Sequence, residues 1–393
     1  MDFEFSADQE LLRATLRRFL AEQAPVSPYV RAQLDNPRGT AEDVWRGLAD
    51  LGVTGLLVPD AYGGAGRGMV DQAVVLEELG RAVHPGPYQS SAIGAVSLVL
   101  SAGDEHDFES LLPGLASGDT TGTLACYEPD SRSEWRTPVT SARAAGDGWA
   151  INGTKAHVPD AVAADLLLVT AMTDDGLGVF AVRRDAEGVV VEGTPTVDGT
   201  RKQASVVLRD APAWRLGGGA GGGGGGGASG GGGGGAARGP GAGEAAVAEA
   251  VDRLAVASVL DGVGAASRAL ELAVEYAKER EQFGRPIGAF QAVQQICADM
   301  LRAVELARAG AYYAAWACDE PDARERHRAA AMAQAFAADE LYGVGANAIQ
   351  VFGGVGFTWE HDIHLYYKRV LTLQHVGGGR IESLETLATL LLD

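Results

Sequence analysis

Arg280-Glu281-Gln282-Phe283-Gly284-Arg285-Pro286-Ile287-Gly288 closes a long Ala-rich stretch, and Gln350-Val351-Phe352-Gly353-Gly354-Val355-Gly356-Phe357 closes another further on. Through residues 245–281, 292–319, 324–352 and 363–373, Leu and Val recur at i, i+3 and i+4. That is the period of amphipathic helices. Glycines at the ends of such stretches read as helix stops. The last third of the chain therefore predicts a helical bundle.

Moving toward the N-terminus, the pattern changes. Residues 120–126, 148–152, 164–171, 178–183, 188–192 and 204–208 are short, apolar or alternating, and bounded by Gly, Asp, Asn and Pro. Asp147-Gly148 and Asn152-Gly153 add hairpin-turn signals. Further back, the helical period returns. Ser6 is placed to cap a helix carrying Leu11, Leu12, Leu16, Phe19 and Leu20, and further helices are expected over 41–51, 70–83, 92–102 and 105–115. Leu57 to Gly64 is dense in turn formers and reads as a loop. The order predicts an α+β protein. It has an N-terminal helical domain (1–119), a middle antiparallel β domain (120–215) and a C-terminal four-helix bundle (245–393). Residues 216–244 join the last two and contain the uninterrupted runs Gly221–Gly227 and Gly230–Gly235. Glycine at that density buries too little apolar surface to offset backbone ordering, so a flexible loop is expected. The run lacks the Lys-Ser/Thr end of a phosphate loop.

Composition narrows the function classes. The chain has 393 residues, 46% hydrophobic and 21% charged, as expected for a globular protein with a sizeable core. Its net charge of -20 argues against a nucleic-acid partner, which needs a basic footprint for phosphates. Cys126, Cys297 and Cys318 show no Cys-x-x-Cys spacing, so neither a metal site nor a disulfide framework is expected. The opening residues show no basic and apolar leader, and no apolar run reaches the roughly eighteen residues of a membrane span. The expected location is the cytoplasm.

Taken together, the two quoted segments, Pro59-Asp60-Ala61-Tyr62-Gly63-Gly64-Ala65-Gly66, Leu76-Glu77-Glu78-Leu79-Gly80, Asn152-Gly153-Thr154-Lys155 and Glu360-His361 resemble the acyl-CoA dehydrogenase family. The resemblance covers nearly the whole chain apart from the glycine run. It implies an FAD-dependent oxidoreductase that converts an acyl-CoA thioester to its 2,3-enoyl form. A base removes the α-proton while the β-hydrogen leaves as hydride to flavin N5. It also implies a flavin at a subunit interface, drawing on both chains, and a separate electron-transfer acceptor. By position, Arg280 meets the FAD pyrophosphate with Gln282 and Phe283 beside it. Gln350, Gly353 and Gly354 let a backbone pass close to the nucleotide. Without a ligand, Arg280 is a solvated helix-end cation and the glycines are helix caps.

Three departures from the family pattern bear on the chemistry. The usual base aligns with Val376 in His375-Val376-Gly377-Gly378, and valine accepts no proton. Asp261 and His375 are the remaining base candidates; for each, a packing or hydrogen-bonding role competes. The loop Glu128-Pro129-Asp130-Ser131-Arg132-Ser133-Glu134 replaces a Gly-rich one, and Pro159 stands where a backbone N–H would meet the flavin ring. Three readings follow: an acyl-CoA dehydrogenase with a relocated base, a non-catalytic subunit that completes the sites of a homologous catalytic chain, or a flavin monooxygenase-like relative needing no carboxylate.

Overall fold

The computed structural model describes residues 5–129, 131, 134–218 and 241–392. Most of the 216–244 segment, and Asp130, Arg132 and Ser133 of the altered loop, lie outside the described residues. The N-terminal region holds α1 (Ala7–Gln23), the single turn α2 (Arg31–Gln33), α3 (Glu42–Asp50), α4 (Met69–Arg81), α5 (Val96–Ala102) and α6 (Glu105–Ser117). Ser6 caps α1 in a reciprocal capping box with Gln9. Leu16 and Leu20 of the expected apolar face are buried, whereas Leu11 is exposed.

Seven strands follow: β1 (Gly122–Ala125), β2 (Ser141–Ala145), β3 (Gly148–Pro159), β4 (Leu166–Thr173), β5 (Gly176–Arg183), β6 (Val189–Thr194) and β7 (Gln203–Arg215). β4, β2, β3, β7 and β5 pair in sequence, and β5 pairs back to β4, so the sheet closes on itself; β1 adds to β4 and β6 to β7. The expected antiparallel character holds for most ladders, but β1 and β2 each pair parallel with β4. The β2–β3 hairpin supplies the crossover that a parallel pair requires. β2, Ser-Ala-Arg-Ala-Ala, was not among the expected strands: only Ala142 of it is buried, so no apolar alternation marks it.

The bundle consists of α7 (Ala242–Glu279), α8 (Gln291–Asp319), α9 (Ala323–Phe352), α10 (Ile363–Thr372) and α11 (Gly379–Leu392). A short β8–β9 hairpin, Glu281–Gln282 with Arg285–Pro286, follows α7. Glycines let α4 and α7 cross closely. A Cβ at Gly80 would lie 1.9 Å from Asp261 O, and one at Gly264 would lie 1.9 Å from Glu77 O. This contact carries the middle of α7 to the junction of helices and sheet. Among the described residues, no helix is long and apolar enough to cross a membrane. All three cysteines are free, with Cys126 and Cys318 buried.

Candidate active site

A cavity of about 170 Å³ opens where the three regions meet. One wall is a stripe of α7, Val251, Leu254, Ala255, Ser258 and Asp261. These residues recur at three- and four-residue steps and so share one helix face. β1 contributes Leu124 and the residues just past it, Cys126 and Tyr127, while the end of β3 contributes Pro159 and Asp160. Gln89 and Ser90 enter from the π-helical segment Gln89–Ala95 that runs into α5, Arg201 and Lys202 from the β6–β7 link, and Val376 and Gly377 from the turn into α11.

That last turn fixes what Val376 can do. Gly377, Gly378 and Gly379 take φ values of 57°, 85° and 64°, a left-handed run that side chains other than glycine resist. A Cβ at Gly378 would meet the Glu382 carboxylate at 2.0 Å, and one at Gly379 would meet Gln374 O at 1.9 Å. Buried Gln334 donates from Nε2 to Leu373 O (2.6 Å), just before the turn, and lies 3.5 Å from Val376 O. Val376 is thus held on the cavity wall with only methyl groups to offer.

Neither proposed substitute base stands free in the cavity. His375 is exposed, makes no side-chain bond to a described residue and does not line the cavity. Asp261 does line it, but its carboxylate accepts from Arg369 Nη1 at 2.9 and 3.0 Å and from Arg201 Nη2 at 2.6 Å. Arg369 is itself 2% exposed, and also donates to Asp198 Oδ2 (2.9 Å), to Thr200 Oγ1 (2.5 Å) and to the carbonyls of Val83 and His84. Asp261 is therefore a member of a buried ionic cluster joining α4's end, α7, α10 and the β6–β7 link. The same cluster, after burial itself, pushes the neighbouring His84 imidazole down to about 3.

The two β-region motifs that depart from the family pattern are also committed. Glu128 accepts from Val139 N (2.7 Å), Thr140 N (2.9 Å) and Lys155 Nζ (2.9 Å), and Lys155 is fully buried. Burial would raise the Glu128 carboxyl, but these donors outweigh it and hold it down at about 2. The Glu128-Pro129 and Asn152-to-Lys155 motifs, far apart in sequence, thus meet as one buried pair. Pro159 lines the cavity with its carbonyl already accepting from Thr123 Oγ1 at 2.6 Å.

Sequence reasoning passed over Asp160. It is 5% exposed, sits in a left-handed turn (φ 51°) and accepts from Ser90 Oγ at 2.7 Å. Burial raises its carboxyl above the ordinary range despite that bond. Its place directly after the aberrant Pro159 was the one available signal. Tyr127 was missed too; it lines both this cavity and a neighbouring one of about 110 Å³ behind Gly377, and burial holds its phenol well above the usual value.

The six cofactor candidates gather elsewhere. Arg280 is exposed, and its side chain bonds to no described residue. Gln282 and Phe283 are exposed on the β8–β9 hairpin, Phe283 at 93%. Gln350 is exposed at the end of α9, and a Cβ at Gly353 or Gly354 would meet nothing within 4 Å. The two segments share one end of the bundle, because Tyr276 stacks on Phe352 at 4.4 Å while Arg280 N donates to Tyr276 O at 2.8 Å. An unpaired guanidinium beside an open two-glycine surface suits a phosphate-bearing ligand such as FAD. None of these six residues lines the cavity. Asp261 and Arg280 lie along the same helix, roughly 28 Å apart along its axis at about 1.5 Å per residue.

A helical region, a closed sheet and a second helical bundle around a shared cavity define a three-domain α+β fold. Family models for the acyl-CoA dehydrogenase N-terminal, middle and C-terminal domains match residues 6–119, 123–211 and 241–388. The chain belongs to the acyl-CoA dehydrogenase family. It is 32% identical to acyl-CoA dehydrogenase IpdE2 of Mycolicibacterium smegmatis over 97% of this chain and 98% of the relative. Among solved structures, it resembles the Tcur3481-Tcur3483 steroid ACAD (TM-score 0.84, 30% identity, 98% of each chain). It also resembles the ChsE4-ChsE5 complex from Mycobacterium tuberculosis (TM-score 0.85, 26% identity, 100% of this chain and 99% of that one).

Proposed function

We propose that this chain is an acyl-thioester-binding subunit of an FAD-dependent acyl-CoA dehydrogenase, acting beside a homologous chain that supplies the carboxylate base. One observation carries the proposal: the cavity is kept, while the position of the base presents Val376 and the nearby Asp261 is consumed by two arginines. Proton removal needs an acceptor within hydrogen-bond reach of the α-carbon's proton, and neither group supplies one.

In this scheme Arg280 would pair with the FAD pyrophosphate, Gln282 and Phe283 would flank it, and Gln350, Gly353 and Gly354 would let the nucleotide approach the backbone. FAD, when bound, supplies a hydride acceptor at N5 for α,β-desaturation. The separation of roughly 28 Å between Asp261 and Arg280 favours a flavin shared between chains over one held within this chain. Two of the similar structures are named for pairs of proteins, Tcur3481-Tcur3483 and ChsE4-ChsE5, in keeping with a heteromer. A soluble electron-transfer partner would complete turnover.

A second reading has one observation in its favour. Asp160 is a cavity-wall carboxyl with one oxygen bonded to no described residue, and burial moves its pKa toward that of a working base. A homomeric dehydrogenase using Asp160 follows from it. Expression alone and with a homologous Glu-bearing chain decides between them. The expected result is little flavin and no acyl-CoA-dependent reduction of an electron-acceptor dye by the chain alone, and both in the co-purified complex. Turnover by the flavin-loaded chain alone, abolished in Asp160→Asn, would establish the second reading instead.

A further inference from the structure

A groove of about 310 Å³ lies where α1, α4, α7 and α10 come together, and it shares no lining residue with the acyl cavity. Leu20, Pro25, Val26 and Ala82 give it an apolar lining. Three guanidiniums from three helices also line it: Arg17 of α1, Arg81 at the end of α4 and Arg268 of α7. Ion pairs engage only part of this set. Glu78, whose side chain is 2% exposed, accepts from Arg17 Nε and Nη2 at 2.7 and 2.5 Å. Glu271, which does not line the groove, accepts from Arg81 Nη1 and Nη2 at 2.7 and 2.8 Å. Arg268 spends only Nη1, on Glu271 at 2.9 Å and on the exposed Glu275 at 3.3 Å. Arg17 Nη1, Arg81 Nε and the other Arg268 nitrogens hydrogen-bond to no described carboxylate. Tyr366 of α10, 3% exposed, lines the same space. Burial pushes its phenol up to about 12 even with Arg268 beside it, so the hydroxyl keeps its hydrogen at neutral pH.

Glu78 and Glu271 thus serve all three guanidiniums, and the surplus cation runs against the chain's overall charge of -20. A concave surface of one sign attracts the opposite charge, and a guanidinium fork matches a planar carboxylate. Water alone could satisfy the spare N–H groups. The adjoining apolar lining is what selects a ligand with an apolar body. We propose that this groove binds an amphiphilic monocarboxylate, apart from the acyl cavity. Its carboxylate accepts from the spare guanidinium N–H groups and the Tyr366 hydroxyl, and its alkyl chain lies along Leu20, Pro25 and Val26. An amine of the same length would face the arginines and is repelled.

The test titrates the full chain with octanoate by calorimetry, alongside octanol and octylammonium. Octanoate should bind saturably and about tenfold or more tightly than octanol, because charge-assisted hydrogen bonds separate the two. Octylammonium should give no measurable binding. Arg268→Gln keeps a polar side chain without the charge and should weaken octanoate several-fold. Ala21→Trp fills the groove from an exposed position of α1 that lines it, so the fold is kept and octanoate is shut out. It serves if Arg268→Gln does not fold. Octanoate binding that survives either variant unchanged belongs elsewhere, the acyl cavity included, and would overturn the inference. Absence of octanoate binding, or equal binding of octanol, would overturn it too. None of these outcomes touches the acyl-thioester assignment, which concerns a different cavity.

Discussion

Asp160 shows how one residue's environment outweighs its type. The left-handed turn after Pro159 aims a carboxyl into a wall 5% exposed, and burial lifts it above its ordinary value near 3.8. A group raised in the folded state contributes stability that is present below its ordinary pKa and is lost as pH rises through the raised one. Asn has the same shape, can keep the Ser90 contact and does not ionise. Asp160→Asn should therefore melt at a higher temperature than the parent chain in alkaline buffer, with the difference shrinking as the buffer becomes acidic. Thermal melts across a pH series measure this; a difference that grows on acidification would mean that Asp160 is favoured as an anion. Val376 differs in kind: three left-handed glycines and Gln334 hold it in place, and no shift in environment makes a methyl group accept a proton.

At the scale of elements, the α7–β8 junction and the end of α9 belong together. The Tyr276–Phe352 stack sets Arg280 and the Gly353-Gly354 pair at one end of the bundle, on an exposed surface. Because Arg280 makes no bond to a described side chain, removing its guanidinium should not disturb folding. Arg280→Ala should lower bound flavin per complex several-fold, with the unfolding free energy of the flavin-free protein within about 0.5 kcal/mol of the parent. Absorbance of released flavin and calorimetry measure the two quantities. Unchanged flavin content would remove Arg280 from the cofactor site. Helix periodicity made α7 and α9 readable, but the stack joining their ends involves residues over seventy positions apart and left no periodic trace.

Across the whole molecule, Arg369 links the parts. One guanidinium ties α10 to Asp261 of α7, to Asp198 and Thr200 of the β6–β7 link, and to the carbonyls after α4. Replacing one partner of a buried ion pair leaves the other charge uncompensated, a loss on the order of 3–5 kcal/mol. Arg369→Met keeps much of the volume and should lower the urea midpoint accordingly. It should also separate the far- and near-ultraviolet dichroism transitions if the sheet and bundle unfold together only through this node. Coincident transitions with a loss below about 1 kcal/mol would show that apolar packing joins the regions instead. In Tyr366-Tyr367-Lys368-Arg369, adjacent cations read as an ordinary solvated helix face; nothing in that spacing announces that one is 2% exposed.

Much of the architecture needed no tertiary information. Helix period, strand punctuation and glycine stops depend on neighbours within a few residues, so the helical, β and helical order could be read directly; that Val376 stands at the place of the usual base is what the family resemblance implies. Among the elements, β2 and α11 lay outside the expected ones: β2 has no apolar alternation because most of its side chains face solvent, and α11 follows the glycine turn with only Gly379 and Ser383 buried. What the tertiary structure decided depends on partners distant in the chain. It engaged Asp261 with two arginines, turned His375 outward, joined Glu128 to Lys155 and bonded the buried Asp160 to Ser90. A carboxylate's role follows from burial and the donors around it, and those are properties of the packed molecule rather than of any local stretch.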